Sequence, residues 1–228
     1  MALKGKAFLA IWHDIAEAAE AEYNVWHTRQ HMPERLGVPG FLVGRRYVDW
    51  SLTDQRYFTL YEAATLETFG SDAYRVRLND PTAWSARVQP HFLNFGRSAC
   101  VLSASIGRVI GGAVATTRLS FKGRQTDVFE AAAERLACAL VALDGVTGAH
   151  LGTAAEKITR VRTRESELCV QTGEDVFDAV LMVEGIGRRE IESALPAIRS
   201  QLGQMVRFER EQSAVYDLAY MLTAADVA

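Results

Sequence analysis

Two histidines stand four residues apart at His27 and His31, with Trp26 just before them and Pro33, Glu34 and Arg35 just after. Imidazole titrates near neutrality, so a histidine held in a dry pocket can take a proton from a substrate. The same spacing is that of two metal ligands on one helix face. Zinc would need a third ligand, and neither an HExxH pattern, clustered cysteines nor a carboxylate partner accompanies the pair, so no metal is expected. On an ideal helix His27 falls nearly opposite the apolar stripe of Ala18, Ala19, Val25, Met32 and Leu36, which puts it in solvent. His31 sits beside Pro33, where the period lapses, and its side chain can turn toward a cleft. Two readings of His31 stand: a general base, or a histidine satisfied by a structural hydrogen bond.

Around this stretch lie further groups able to bind or polarise a small molecule. Arg45 and Tyr47 share a strand side with Phe41 and Val43, and could hold a carboxylate or enolate oxygen through charge-assisted hydrogen bonds. The plainer reading of Arg45 is a surface cation paired with Glu34. Tyr57, Thr59 and Tyr61 share one side of the next strand. His13 ends the first strand and His91 lies in a later loop, either of them able to line a cleft. The candidate site is therefore His31 and Arg45 as catalytic groups, with Trp26, Tyr47, Tyr57, Tyr61, His13 and His91 binding substrate.

The elements that must position these groups follow from periodicity. Ala7 to His13 reads as a strand, and Asp14 with Glu17 has the spacing of a capping box that opens a helix. Val38-Pro39-Gly40 is a turn, Phe41 to Trp50 and Arg56 to Glu62 are strands, Thr65 to Leu78 is a helix capped by Thr65, and Phe95 to Ile106 is a fourth strand. That order is βαββαβ, a ferredoxin-like unit. After a weak linker at Gly107 to Gly112 the order recurs: a strand to Phe121, an amphipathic helix over Thr126 to Leu143, and a strand after Val146-Thr147-Gly148. A polar insertion (Glu156 to Glu174), a strand from Val176 to Glu184, a helix over Arg189 to Leu202 and a strand from Val206 complete it. Val146-Thr147-Gly148 matches Val38-Pro39-Gly40, and Gly152 matches Gly44, which aligns Arg45, Arg46 and Tyr47 with Thr153, Ala154 and Ala155. The chain reads as two tandem ferredoxin-like units, 1–110 bearing the site and 111–228 as structural partner. Each unit has a bare sheet face, and packing the two faces together gives a pseudo-dimeric α+β barrel.

Trp26-x4-His31-x-Pro33-Glu34-Arg35-x3-Pro39-Gly40-Phe41-x3-Arg45-Arg46-Tyr47 resembles the signature of the dimeric α+β barrel superfamily, especially its EthD-like members. The resemblance covers about the first quarter of the chain. It implies the same fold and a small-molecule ligand, while the superfamily hosts many chemistries. Haem, which related tandem barrels hold, would need an axial ligand in the second unit; its one histidine, His150, falls on a strand, so no cofactor is expected.

The totals narrow the class further. A net charge of −3 gives no basic footprint for nucleic acid, and no run is long enough to span a membrane. Cys100, Cys138 and Cys169 lie far apart and odd in number, which argues against a disulfide framework and for a reducing, cytoplasmic setting. All four Trp and four of the five His fall in the first half, where the second half has aliphatic residues. The resulting expectation is an enzyme of isomerase, cyclase or cofactor-independent oxygenase type. Its substrate is aromatic or polyketide-like, and its shape is compatible with a homodimer of such barrels. The competing expectation is a non-catalytic ligand-binding or stress-associated barrel.

Overall fold

In the computed structural model, residues 1–121, 125–159, 161–169 and 177–227 are described. The first strand, β1 (Ala7–Ile15), is buried along nearly all of its length. Such a run is apolar on both faces because one face lines a barrel and the other lies under helices. It continues through Asp14 rather than stopping for a helix. The Asp14 carboxylate accepts hydrogen bonds from the backbone N–H of Gln55 (2.5 Å) and Arg56 (2.9 Å) and from Asn94 Nδ2 (3.0 Å). It is thus spent on anchoring a loop, and the helix starts later, after a short turn, as α1 (Glu20–Trp26).

A five-residue π turn, His27–His31, joins α1 to α2 (Met32–Leu36). The strands β2 (Phe41–Val48) and β3 (Tyr57–Ala63) follow. The continuous helix anticipated over Thr65 to Leu78 is broken at Gly70-Ser71. A 3₁₀ turn precedes it, and α3 (Asp72–Asn79) begins only where the Ser71 hydroxyl accepts from the Tyr74 N–H at 3.2 Å. Then come α4 (Ala83–Val88) and β4 (Phe92–Gly107). The second half supplies β5 (Ala113–Ser120), α5 (Gln125–Val141), β6 (Val146–Ala154), α6 (Glu156–Thr159) and α7 (Arg164–Leu168). It ends with β7 (Ala179–Gly185), α8 (Arg188–Met205) and β8 (Arg210–Thr223). The expected start of β7 at Val176 and the end of the polar insertion at Glu174 lie outside the described residues.

The protein is α+β, with a closed antiparallel barrel ordered β1-β3-β2-β8-β5-β7-β6-β4. Within each half the strands run in the order fourth, first, third, second. The halves join where β2 pairs with β8 and β4 with β6, so the two sheets are hydrogen-bonded into one ring and, among the described residues, no edge strand is left open. Phe8, Trp12, Tyr47, Phe58, Met182 and Tyr216, drawn from both halves, share one buried cluster that fills the barrel.

Register between the halves is read from the ladders. Val43 to Val48 pair with Glu62 to Tyr57 as Gly148 to Thr153 pair with Glu184 to Ala179, each after a bulge of one residue. Arg45 therefore corresponds to His150, Arg46 to Leu151 and Tyr47 to Gly152. The correspondence with Thr153 to Ala155, taken from matching the two turns, is three residues out. Arg45 and His150 both face the interior and meet at Glu184. Arg45 is ion-paired with Glu184 and, at 2.7 Å, with Glu62, while His150 Nε2 stands 3.3 Å from Glu184.

Candidate active site beneath the first helical layer

The π turn decides what the histidines see. Met32 N–H bonds to the carbonyl of His27, five residues back, so the helix is widened by one residue just before Pro33, whose ring would otherwise press on the carbonyl four residues earlier. The extra residue rotates His27 inward: it is 3% exposed rather than solvated, while Val25, assigned to the apolar stripe, is 40% exposed. The buried stripe is in fact Ala19, Tyr23, Trp26, Met32 and Leu36. Gly44 lets this layer approach the sheet, since a Cβ there would meet Met32 Cγ and Sδ at 3.0 Å.

Between the helices and the outer face of β1, β3 and β4 lies a cavity of about 710 Å³. This is ample for a drug-sized molecule. Leu9, Ile11, Trp26, Phe92 and Phe95 give it apolar walls, and His13, His27, His31, Thr59 and Tyr61 give it polar points. The lining extends into the second half. Ala154 and α6, with Val161, Arg162 and α7, supply one wall, held by Ala155 N–H to the Ala99 carbonyl (2.8 Å) and Ala99 N–H to Thr159 Oγ1 (3.1 Å). Glu165 of this wall is ion-paired with Arg35. The sequence places the site wholly in the first half; one wall of this cavity comes from the second.

Three imidazoles face this space in different states. His13 Nδ1 lies 3.1 Å from the Asp14 carbonyl, which can only accept, so Nδ1 carries the proton and Nε2 accepts from the Tyr23 hydroxyl at 2.9 Å. Both nitrogens are spent, and burial lowers its pKa to about 3. His27 Nδ1 is 2.5 Å from the Tyr220 hydroxyl on β8. Its ring lies 5.4 Å from that of His31, which packs on Trp26 at 4.3 Å. His31 Nδ1 is buried with no hydrogen-bond partner among the described residues. The same holds for Thr59 Oγ1, Tyr61 Oη, Arg35 Nη1 and Gln89 Oε1, all on residues lining the cavity. Burial, then the Arg35 charge, holds His31 well below its ordinary pKa, and burial with Arg46 does the same for His27. Both are neutral at pH 7. Burial likewise keeps the Tyr61 phenol protonated.

Of the residues proposed from sequence, Trp26, His31, Tyr61 and His13 line the cavity. Arg45 does not: the bulge between Phe41 and Val43 turns it away from Phe41's side into the barrel, where it is fully buried between Glu62 and Glu184. Nor is it a surface partner of Glu34, whose carboxylate lies 3.9 Å from Arg35. Tyr47 also faces the interior. Tyr57 stacks on His13 at 5.3 Å and donates to Glu20 Oε1 at 2.6 Å, behind the cavity rather than in it. His91 is exposed, and its flanking residues Gln89 and Phe92 reach the cavity instead. The sequence reading missed His27, Arg35, Arg46 and Tyr220. Arg46 stands on the helix side, over the Tyr23 and Tyr57 rings at 4.4 and 4.5 Å, donating to Asn24 Oδ1 at 2.9 Å. Among the described residues, no third His, Cys or carboxylate joins His27 and His31 in a metal-ligand cluster.

No family model matches the sequence, and no curated protein matches it. The fold does have solved relatives. An anthrone oxidase-like protein aligns over 100% of this chain and 98% of its own, with TM-score 0.66 and 9% identity. A candidate monooxygenase from Fusobacterium nucleatum aligns over 97% and 96%, with TM-score 0.61 and 11% identity. A point mutant of chlorite dismutase from Candidatus Nitrospira defluvii aligns over 98% and 94%, with TM-score 0.57 and 10% identity. At these identities the likeness is one of fold, the ferredoxin-type barrel. Haem, which the family resemblance admits, does not fit the residues present in the second half. His150 points into the barrel, bonded to Ser105 at 2.8 Å, and the helix-covered face there is packed with aliphatic side chains. No helix among the described residues is long and apolar enough to cross a membrane.

Proposed function

We propose that the first-half cavity is the active site of a cofactor-independent enzyme. Its substrate is a planar aromatic or polyketide-like molecule, and His31 serves as general base in an isomerase, cyclase or oxygenase type of reaction. The observation that carries this reading is the set of five buried polar atoms without a hydrogen-bond partner among the described residues, His31 Nδ1, Thr59 Oγ1, Tyr61 Oη, Arg35 Nη1 and Gln89 Oε1, all on residues that line one aromatic-walled cavity. Buried polar groups are nearly always hydrogen-bonded, and here a ligand's donors and acceptors would complete them. Neutral His31 is ready to accept a proton, and its imidazolium would be stabilised by the enolate formed beside it.

The reading takes the two halves, 1–110 and 111–228, as a tandem duplication of an EthD-like unit working in a reducing cytoplasm. The depth of His31's pKa depression favours a second reading, a barrel that binds the same ligand without chemistry. Titration with a tricyclic aromatic ketone, followed by native mass spectrometry and turnover assays, separates them. Binding should be stoichiometric, and Tyr61→Val, which installs the second half's residue, should weaken it at least about tenfold by removing a hydroxyl worth roughly 1–1.5 kcal/mol together with a ring that walls the cavity. Unchanged binding in Tyr61→Val would remove this cavity as the site. Binding with no turnover of any enolisable ligand would leave the non-catalytic barrel.

A further inference from the structure

The Tyr220 hydroxyl and His27 Nδ1, 2.5 Å apart, form a pair whose direction has chemical consequences. Either the phenol donates to the imidazole or the imidazole N–H donates to the phenol. A phenol O–H is a far better donor than a neutral imidazole N–H, and imidazole nitrogen is the better acceptor. Arg46, which pairs in register with Tyr220 across the β2–β8 seam, places its positive charge by the phenol oxygen and favours the hydroxyl proton pointing away. A guanidinium cannot accept that proton. His27 is then left with its proton on Nε2, the nitrogen free to meet a ligand in the cavity it lines.

Resting on the function proposed above, we propose that Tyr220 is a positioning residue that fixes His27 as the Nε2–H tautomer. His27 thereby becomes the donor to a carbonyl oxygen of the substrate, while His31 Nδ1 takes a proton from the adjacent carbon. The substrate class is accordingly an aryl ketone with an enolisable C–H. As His31 takes the proton the C–H bond breaks, its electron pair forms the carbon–carbon double bond of the enolate, and the charge moves onto the oxygen bound by His27. Return of the proton from the His31 imidazolium to the oxygen or to a conjugated carbon completes an isomerisation with no change in oxidation state. A neutral imidazole suits the donor role because it stabilises the oxyanion without giving up its proton outright. The burial that keeps His27 uncharged therefore serves the chemistry. The two halves share this arrangement: His27 and His31 come from the first, Tyr220 from the second.

The test uses the full chain labelled with ¹⁵N-histidine, five residues in all. Long-range ¹H–¹⁵N correlation at pH 7 should show His27 with Nε2 protonated and Nδ1 bare. In Tyr220→Phe that lock should be lost and the two tautomers should average, while the pattern of His13 stays fixed. A protonated Nδ1 on His27 in the native protein overturns the proposal. The ligand arm uses 9-fluorenone, an aryl ketone with no enolisable proton, read by infrared difference spectroscopy. Its carbonyl band should move to lower wavenumber in the native protein and return toward the free value in Tyr220→Phe. An unshifted carbonyl in bound fluorenone overturns the donor role, and failure of fluorenone to bind overturns the ligand class. Either result leaves His31 to be judged by its own variants, so the broader function falls only if no aromatic ligand enters the cavity.

Discussion

His13 of β1 and Leu119 of β5 occupy the same register position in the two halves, as do Thr59 and Leu181, Tyr61 and Val183, and Arg46 and Leu151. The first of each pair lies under α1, the π turn and α2. The second lies under α5 and α8 in a cluster of Phe129, Leu136, Leu140, Ile191, Ile198 and Leu202. One ladder geometry therefore supports two fillings, a largely aliphatic one that closes the space and a polar, aromatic one that keeps it open. The scaffold alone does not open the cavity; the side chains on one face do. At the shared end of the barrel the halves instead converge, since Arg45 and His150 both engage Glu184.

The largest effect should come from His31. A positioned general base contributes ~10²–10⁴-fold in rate, so His31→Ala should lose turnover on that scale while the melting curve stays within a few degrees of native. Full activity in the variant would return His31 to a structural role. Next is Arg45, whose removal strands two carboxylates inside the barrel. Arg45→Met should cost about 3–5 kcal/mol in chemical denaturation, leaving ligand affinity in any folded fraction unchanged. A loss of affinity with stability intact would bring Arg45 back into the site.

Leu181→Ala probes the filled half. It should cost about 2–5 kcal/mol, since the aliphatic cluster cannot collapse fully around the void, and should not alter binding. An effect on binding larger than twofold would couple the two faces. The last effect is that of pH, read one histidine at a time. His13, His27 and His31 have folded pKa values pushed below the unfolded value near 6.5. The unfolded state thus binds more protons, and the stability these groups contribute is present above pH 6.5 and lost as pH falls toward their folded values. The slope should be about 1.4 kcal/mol per pH unit for each histidine, read from denaturation midpoints between pH 7 and 4. His31→Gln should make the profile shallower; an unchanged slope would mean His31 is not buried in a neutral state.

Much of this was legible beforehand. The order of the strands and of the longer helices follows from apolar periodicity, while α4, α6 and α7 fall in stretches read as loop or insertion; four residues that line the cavity, Trp26, His31, Tyr61 and His13, are named from residue type and position. Three features were not legible, each for a local reason. A π turn adds one residue to a helical turn, which moved His27 from solvent to the cavity, and Pro33 was its only sequence mark. A bulge at Phe41 to Val43 exchanged the faces of Arg45 and Arg46, and nothing in alternation patterns announces a bulge. The polar insertion could be located but not docked, because the contacts of Glu165 with Arg35 and of Arg164 N–H with Asn79 span 130 and 85 residues.

The most direct test of a site confined to the first helix-covered face is a crystal structure of the full chain with a bound tricyclic aromatic ketone. The ligand should lie between Trp26 and Tyr61, with an acceptor oxygen within about 3.2 Å of His27 Nε2 and an acidic carbon facing His31 Nδ1. A ligand seated instead beneath α5 and α8 or inside the barrel would contradict the account. So would a cavity whose five polar atoms are all met by ordered water that the ligand fails to displace.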